Sequence, residues 1–236
     1  MPRHHALAVA LALLAAAPPA GAAPPSPEVG ALVERCLAAY GGAGRMGKLV
    51  AVKQVGTVTS LLHPGETARL TRLAAHGGRL RVEVAWSGAP EVRVVDGQVG
   101  WRGGVPVQGP PLAAMVLQAA RFDLPLRLKE GLDRLQDRGV VEQEGKRLRA
   151  LALEVAPGLV VEADLDPATG RILRSRAASS SGPPLEFVTT YADFRAVDGL
   201  LFAFREGNWA NGATTGETVL TTVALLASLP EGAFRP

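Results

Sequence analysis

The chain has 236 residues, with 25 Lys and Arg against 22 Asp and Glu, one cysteine, 47% hydrophobic and only 5% aromatic residues. This composition excludes a disordered tail, a disulfide-stapled mini-protein and a collagen-like chain, and it supplies enough apolar residues for a substantial core. A net charge of +3 is far too small for a nucleic-acid-binding surface.

Met1-Pro2-Arg3-His4-His5 is a short basic region, Ala6 to Ala17 is an unbroken apolar run, and Ala20-Gly21-Ala22 offers the small residues that a signal peptidase accepts. The pattern predicts a cleaved signal peptide over residues 1–22, followed by a single domain over residues 23–236. The run is too short to span a bilayer, which takes about 20 residues, and no later segment is long and apolar enough. No cysteine follows the small residues, so the expected product is a soluble, secreted periplasmic protein without a lipid anchor. Cys36, the only cysteine, excludes an intrachain disulfide and sits on an apolar stripe that predicts a buried thiol.

After a Pro-rich leader, Ser26 can cap a helix with Pro27 at its first position and Glu28 near its positive end. Val29, Leu32, Val33, Cys36, Leu37 and Tyr40 then recur at helical spacing, and Gly41-Gly42 ends the run. Residues 42–47 match G-x-G-x-x-G, but they follow a helix instead of a strand, which predicts a flexible helix exit and not a dinucleotide site. From Leu49 the texture changes to strands separated by turn signals at residues 63–66, 76–78 and 87–90. Asp96-Gly97 marks a tight hairpin between 91–95 and 99–102. Residues 112–122 read as a helix apolar almost all round, and a second amphipathic stretch begins at Asp123 and closes at Gly131. Strands resume over 140–143, 147–155, 159–165, 171–177, 185–194, 200–206 and 215–226. The total is roughly eleven or twelve short strands, which favours a strongly curved antiparallel sheet or barrel with three helical segments.

Taken in order, the helix ending Tyr40-Gly41-Gly42, the strand opening at Leu49, Asp96-Gly97-Gln98-Val99-Gly100-Trp101, the turn region 164–170 and residues 191–200 resemble the LolA-like periplasmic lipoprotein-carrier family. The resemblance implies a mainly β, α+β fold: an incomplete barrel of about eleven strands covered by helices, with a hydrophobic cavity that receives acyl chains. It also implies a soluble carrier of lipoprotein or lipid toward the outer membrane, with inner-membrane donor and outer-membrane acceptor proteins as partners. The candidate lining is Trp86, Trp101, Leu112, Met115, Leu117, Phe122, Phe187, Tyr191, Phe202 and Phe204. The helix at 112–122 is either a lid over that cavity or a permanent part of the core. The alternative function is an envelope-stress sensor or interaction protein that uses the same fold to bind a membrane regulator.

Catalytic chemistry is not suggested. G-x-S-x-G does not occur, His63 and His76 fall at expected solvated turns, and no Cys or His spacing suits zinc. Asp164 and Asp166 resemble the start of a calcium loop, yet Pro167 and Gly170 fit a tight turn. The expectation is a binding protein without catalytic residues, cofactor or metal. Arg69, Arg72, Arg79 and Arg81 on neighbouring strands, and Arg171, Arg174 and Arg176 on another, read as a solvated outer face or as a basic rim for lipid phosphates or an acidic partner.

Overall fold

The computed structural model describes residues 26–179 and 185–236; the expected signal peptide, residues 1–22, lies outside the described residues. Helix α1 (Pro27–Ala39) starts where its cap predicts, with the Ser26 side chain accepting a 3.3 Å hydrogen bond from the Val29 N–H. Its stripe of Val29, Leu32, Val33, Cys36 and Leu37 is buried. Two hairpin turns pin the far end. A side chain at Gly41 would lie 2.4 Å from the Gly199 carbonyl, and one at Gly170 would lie 2.6 Å from the Arg35 carbonyl, so both contacts require glycine. Gly42 opens a further helical turn, α2 (Ala43–Met46), where the sequence suggested a flexible exit. The Met46 carbonyl oxygen that this turn presents lies 2.9 Å from Nε2 of His76.

One flank of the sheet is a meander of β1 (Ala51–Ser60), β2 (His63–Ala75), β3 (Arg79–Ala85), β4 (Pro90–Asp96), β5 (Val99–Arg102) and β6 (Val105–Pro106). Helices α3 (Gly109–Ala120) and α4 (Leu124–Glu130) and a single 3-10 turn (Leu132–Arg134) lead to the other flank. It comprises β7 (Gln136–Gln143), β8 (Lys146–Ala156), β9 (Leu159–Leu165), β10 (Ile172–Ser179), β11 (Leu185–Val197), β12 (Leu200–Ala210) and β13 (Ala213–Leu226). Every neighbour pair is antiparallel, and β13 pairs with β1, giving the order β6-β5-β4-β3-β2-β1-β13-β12-β11-β10-β9-β8-β7. The result is a mainly β fold, one antiparallel sheet of 13 strands that curves without closing. The count passes the expected eleven or twelve because the two-residue β6 pairs with β5, a segment too short to leave a pattern.

The seam between the flanks is tight. Beside a bulge at Thr221 of β13, a side chain at Gly56 of β1 would lie 2.1 Å from the Val219 carbonyl. The sheet's open edges are β6 and β7, and α3 spans the inner face between the flanks, touching β4 and β5 on one and β9 and β10 on the other. It sits close: a side chain at Gly100 of β5 would meet Leu112 Cδ1 at 2.9 Å and Met115 Cε at 3.3 Å. The main core gathers α1, α3, α4 and the inner sheet face. A second cluster of Ala51, Leu73, Val94 and Phe234 alternates with inner-face residues along β1, β2 and β4, so it lies on the outer face.

Candidate functional site

Among the described residues, two cavities line the inner face of the curved sheet. The larger, of about 390 Å³, lies between α3 and the inner faces of strands from both flanks; the smaller, of about 110 Å³, lies beneath the start of α4. Arg72, Arg121, Thr189 and Glu206 line both, so a polar girdle stands where the two meet. Leu70, Val82, Val84, Trp86, Met115 and Leu117 supply much of the apolar wall of the larger one. Its volume falls within the range of small-ligand sites, about 300–1,000 Å³.

The girdle centres on a buried ion pair. Arg72 Nη1 and Nη2 each donate a 2.8 Å hydrogen bond to one carboxylate oxygen of Glu206, in a bidentate fork. Their side chains are 4% and 11% exposed. Burial pushes the Glu206 carboxyl up, but Arg72, joined by Arg121, overrides it and holds the group below its usual range. The guanidinium of Arg72 also stands over the Phe122 ring, 5.0 Å from its centre. Arg121, at the C-terminal end of α3, donates to Thr189 Oγ1, whose hydroxyl donates at 3.0 Å to Asn208 Oδ1.

Toward β5 the cavity holds a second charged group. Glu91 Oε1 accepts a 2.7 Å hydrogen bond from Arg102 and lies 3.2 Å from Arg93 Nε, and Arg93 Nη1 donates to Gln118 of α3 at 3.1 Å. Burial opposes ionisation of Glu91, yet Arg93 and Arg102 keep its carboxyl below the usual range. Burial pushes the Arg93 guanidinium down; Glu91 opposes this, while Arg102, Arg72 and Arg121 add to it.

Seven of the ten sequence-proposed residues meet at these cavities. Trp86, Met115, Leu117 and Phe187 line the larger, and Phe122, Tyr191 and Phe202 the smaller. Trp101 packs in the outer-face cluster, because it pairs with Val94, whose side chain points outward. Leu112 is half-buried against Gly100, and Phe204 is buried in the main core beneath the Arg195 guanidinium. Arg72 and Glu206, absent from that set, form the centre of the site.

Other sequence readings change as well. Arg72 is 3% exposed and faces inward, so it does not share a solvated face with Arg69. His63 begins β2 and stacks on Trp86 with ring centres 4.0 Å apart, and His76 lies 3.6 Å from Asp123, so neither is a free turn histidine. Asp166 accepts from Ala168 N–H and Thr169 Oγ1 in a turn, while the buried Asp164 pairs with Arg174 and Arg176. Among the described residues, no three His, Cys, Asp or Glu side chains gather to hold a metal ion.

The fold is similar to that of a LolA superfamily protein, NE2245 from Nitrosomonas europaea. That structure is 13% identical, covers 86% of this chain and 96% of its own, and superposes with a TM-score of 0.55. The chain has a LolA-like fold. Looser likenesses are a candidate outer membrane lipoprotein-sorting protein domain from Vibrio parahaemolyticus, 14% identical over 81% of this chain and 93% of that one with a TM-score of 0.48, and a chain of the Pseudomonas aeruginosa MucA/MucB complex, 12% identical over 86% and 95% with a TM-score of 0.24. No family model matches the sequence, and no curated protein matches it either. Within this LolA-like fold, no helix among the described residues is long and apolar enough to cross a membrane.

Proposed function

We propose that the chain is a non-catalytic periplasmic carrier that shields acyl chains of a lipoprotein or lipid in the larger cavity during transit toward the outer membrane. The observation that carries this reading is the 390 Å³ cavity between α3 and the inner face of an unclosed sheet. Each CH₂ buried there contributes about 0.8 kcal/mol, so one acyl chain gives useful yet reversible binding. In this mechanism α3, which spans the inner face between the two flanks, is the element that shifts when a chain enters. Release then needs only a receptor that binds the chain more tightly. An inner-membrane donor and an outer-membrane acceptor are the partners this role requires.

The test is lipid extraction and mass spectrometry of protein purified from the periplasm without detergent. A stoichiometric acylated species supports the carrier. Two variants place it: Met115→Glu, which sets a charge in the wall, and Ala114→Trp, which fills the cavity from a half-buried position while keeping the surface apolar. Both lose the lipid if the cavity holds it. An empty wild-type protein, or full lipid in a folded Ala114→Trp variant, refutes the reading and favours the regulator-binding alternative.

A further inference from the structure

Four guanidinium groups, Arg72, Arg93, Arg102 and Arg121, line the larger cavity against two carboxylates, Glu91 and Glu206. Glu206 is occupied by both Nη groups of Arg72, and Glu91 is shared between Arg93 and Arg102. Arg121 has no carboxylate partner within ion-pair distance among the described residues; its contact is the Thr189 hydroxyl. The cavity wall therefore carries an excess of two positive charges. An apolar chain needs none of them.

Their placement adds to the imbalance. Arg72, Val82, Arg93 and Arg102 are successive cross-strand partners from β2 to β5, so Arg93 and Arg102 stand directly opposite each other as like charges. Side-chain exposure falls from 56% at Arg102 to 27% at Arg93 and 4% at Arg72, a line of cations running inward from the solvent. The Nε atom of Arg72 is buried without a hydrogen-bond acceptor, that of Arg93 has only the 3.2 Å ion-pair contact with Glu91, and Arg72 as a whole is only 3% exposed. A buried donor left unpaired beside uncompensated charge is destabilising unless an acceptor arrives.

We propose that the larger cavity selects an amphiphile whose head is an anionic oxygen group, a carboxylate or a phosphate, held by Arg93, Arg102 and Arg121 while its chain lies against Val84, Trp86 and Met115. This rests on the carrier reading of the same cavity and names the chemistry of its cargo. Guanidinium groups in a partly desolvated wall bind such heads through charge-assisted hydrogen bonds, and an arriving anion relieves the repulsion between Arg93 and Arg102.

The test is titration of the delipidated protein with oleate, oleoyl lysophosphatidate, oleyl alcohol and inorganic phosphate, followed by calorimetry. The expected result is that both anionic amphiphiles bind at least about tenfold more tightly than oleyl alcohol, with a preference that fades as salt rises. A carboxylate source favours oleate, and a phosphate source favours lysophosphatidate. Arg93→Gln leaves Glu91 paired with Arg102, and Arg121→Gln breaks no ion pair, so both variants keep the fold, checked by circular dichroism. Each narrows the preference several-fold and leaves oleyl alcohol unchanged. Equal affinity for oleate and oleyl alcohol, or a preference untouched in both variants, overturns the anionic-head assignment while leaving the carrier intact. Inorganic phosphate binding as tightly as lysophosphatidate also overturns it, because the chain then contributes nothing. Failure of every oleyl probe refutes the carrier reading itself.

Discussion

Removing Glu206 tests whether the Arg72–Glu206 pair holds the sheet in its curve. The two residues sit on β2 and β12, with β1 and β13 between them in the sheet. Three strand spacings of about 4.8 Å would separate them by about 14 Å on a flat sheet, so their 2.8 Å hydrogen bonds exist only because the inner faces converge. Breaking a buried pair by removing one partner costs about 3–5 kcal/mol, because the survivor stays buried and charged. Glu206→Met leaves Arg72 beside Arg121 with no carboxylate, whereas Arg72→Met leaves Glu206 still facing Arg121, so the first is the more harmful. With a urea slope of about 2 kcal/mol per M, Glu206→Met lowers the unfolding midpoint by about 1.5–2.5 M. The double variant Arg72→Met/Glu206→Met recovers most of that loss. The depressed Glu206 carboxyl also ties the pair to pH. Its stabilisation is fully present above the unfolded carboxyl value of about 4.3 and is lost as pH falls through the lower folded value. A Glu206→Met midpoint within about 0.5 M of wild type, or a double variant as unstable as the two losses summed, would show that the pair does not hold the curve.

Three further outcomes follow from local geometry. Burial pushes the Cys36 thiol up to about 12, so it stays unreactive toward a thiol reagent in the native protein and is modified only on unfolding; native-state labelling at neutral pH contradicts its packing. Gly56→Ala forces a methyl against the Val219 carbonyl and lowers stability by more than about 1 kcal/mol, read by urea melts, whereas Gly44→Ala, with open space around it, stays within about 0.5 kcal/mol. The hydrogen bond to Asp123, opposed by burial, raises the His76 pKa. Its stabilisation is present below the unfolded value of about 6.5 and fades as pH rises through the folded one, a dependence that NMR titration follows and that His76→Gln removes.

Much of the sheet was readable because its turns carry a local signature. Glu144-Gly145 and Asp198-Gly199 sit between paired strands, and Asp198 and Gly199 both take positive φ values, +48° and +77°; after β4 the turn lies one place further on, at Gly97-Gln98, because Asp96 still pairs with Val99. Where that signature weakens, boundaries slip. β7 begins at Gln136 and not Val140, because an edge strand needs no apolar face at its exposed start, and β12 runs past Asn208 to Ala210, the turn itself being Asn211-Gly212. The site was harder to read for a different reason. Grouping Arg69 with Arg72 ignored that residues three apart on a strand face opposite ways, whereas Leu70, Arg72 and Ala74 share the inner face. Glu206 likewise follows Phe202 and Phe204 in steps of two. That parity reveals a charge on each inner face, but their pairing depends on the curvature of the whole sheet, which no local pattern encodes.

The seam between β1 and β13 sets an order of assembly. Every other neighbouring pair of strands is consecutive in the chain, so each flank can form as a local meander, while Ala51 must find Leu226 across nearly the entire sequence. Closing so long a loop is the entropically expensive step, and it brings together two flanks that each already hold half of the girdle. The long-range pairing is thus the step that creates the cavity, and a chain caught before it would present two apolar half-shells to the solvent.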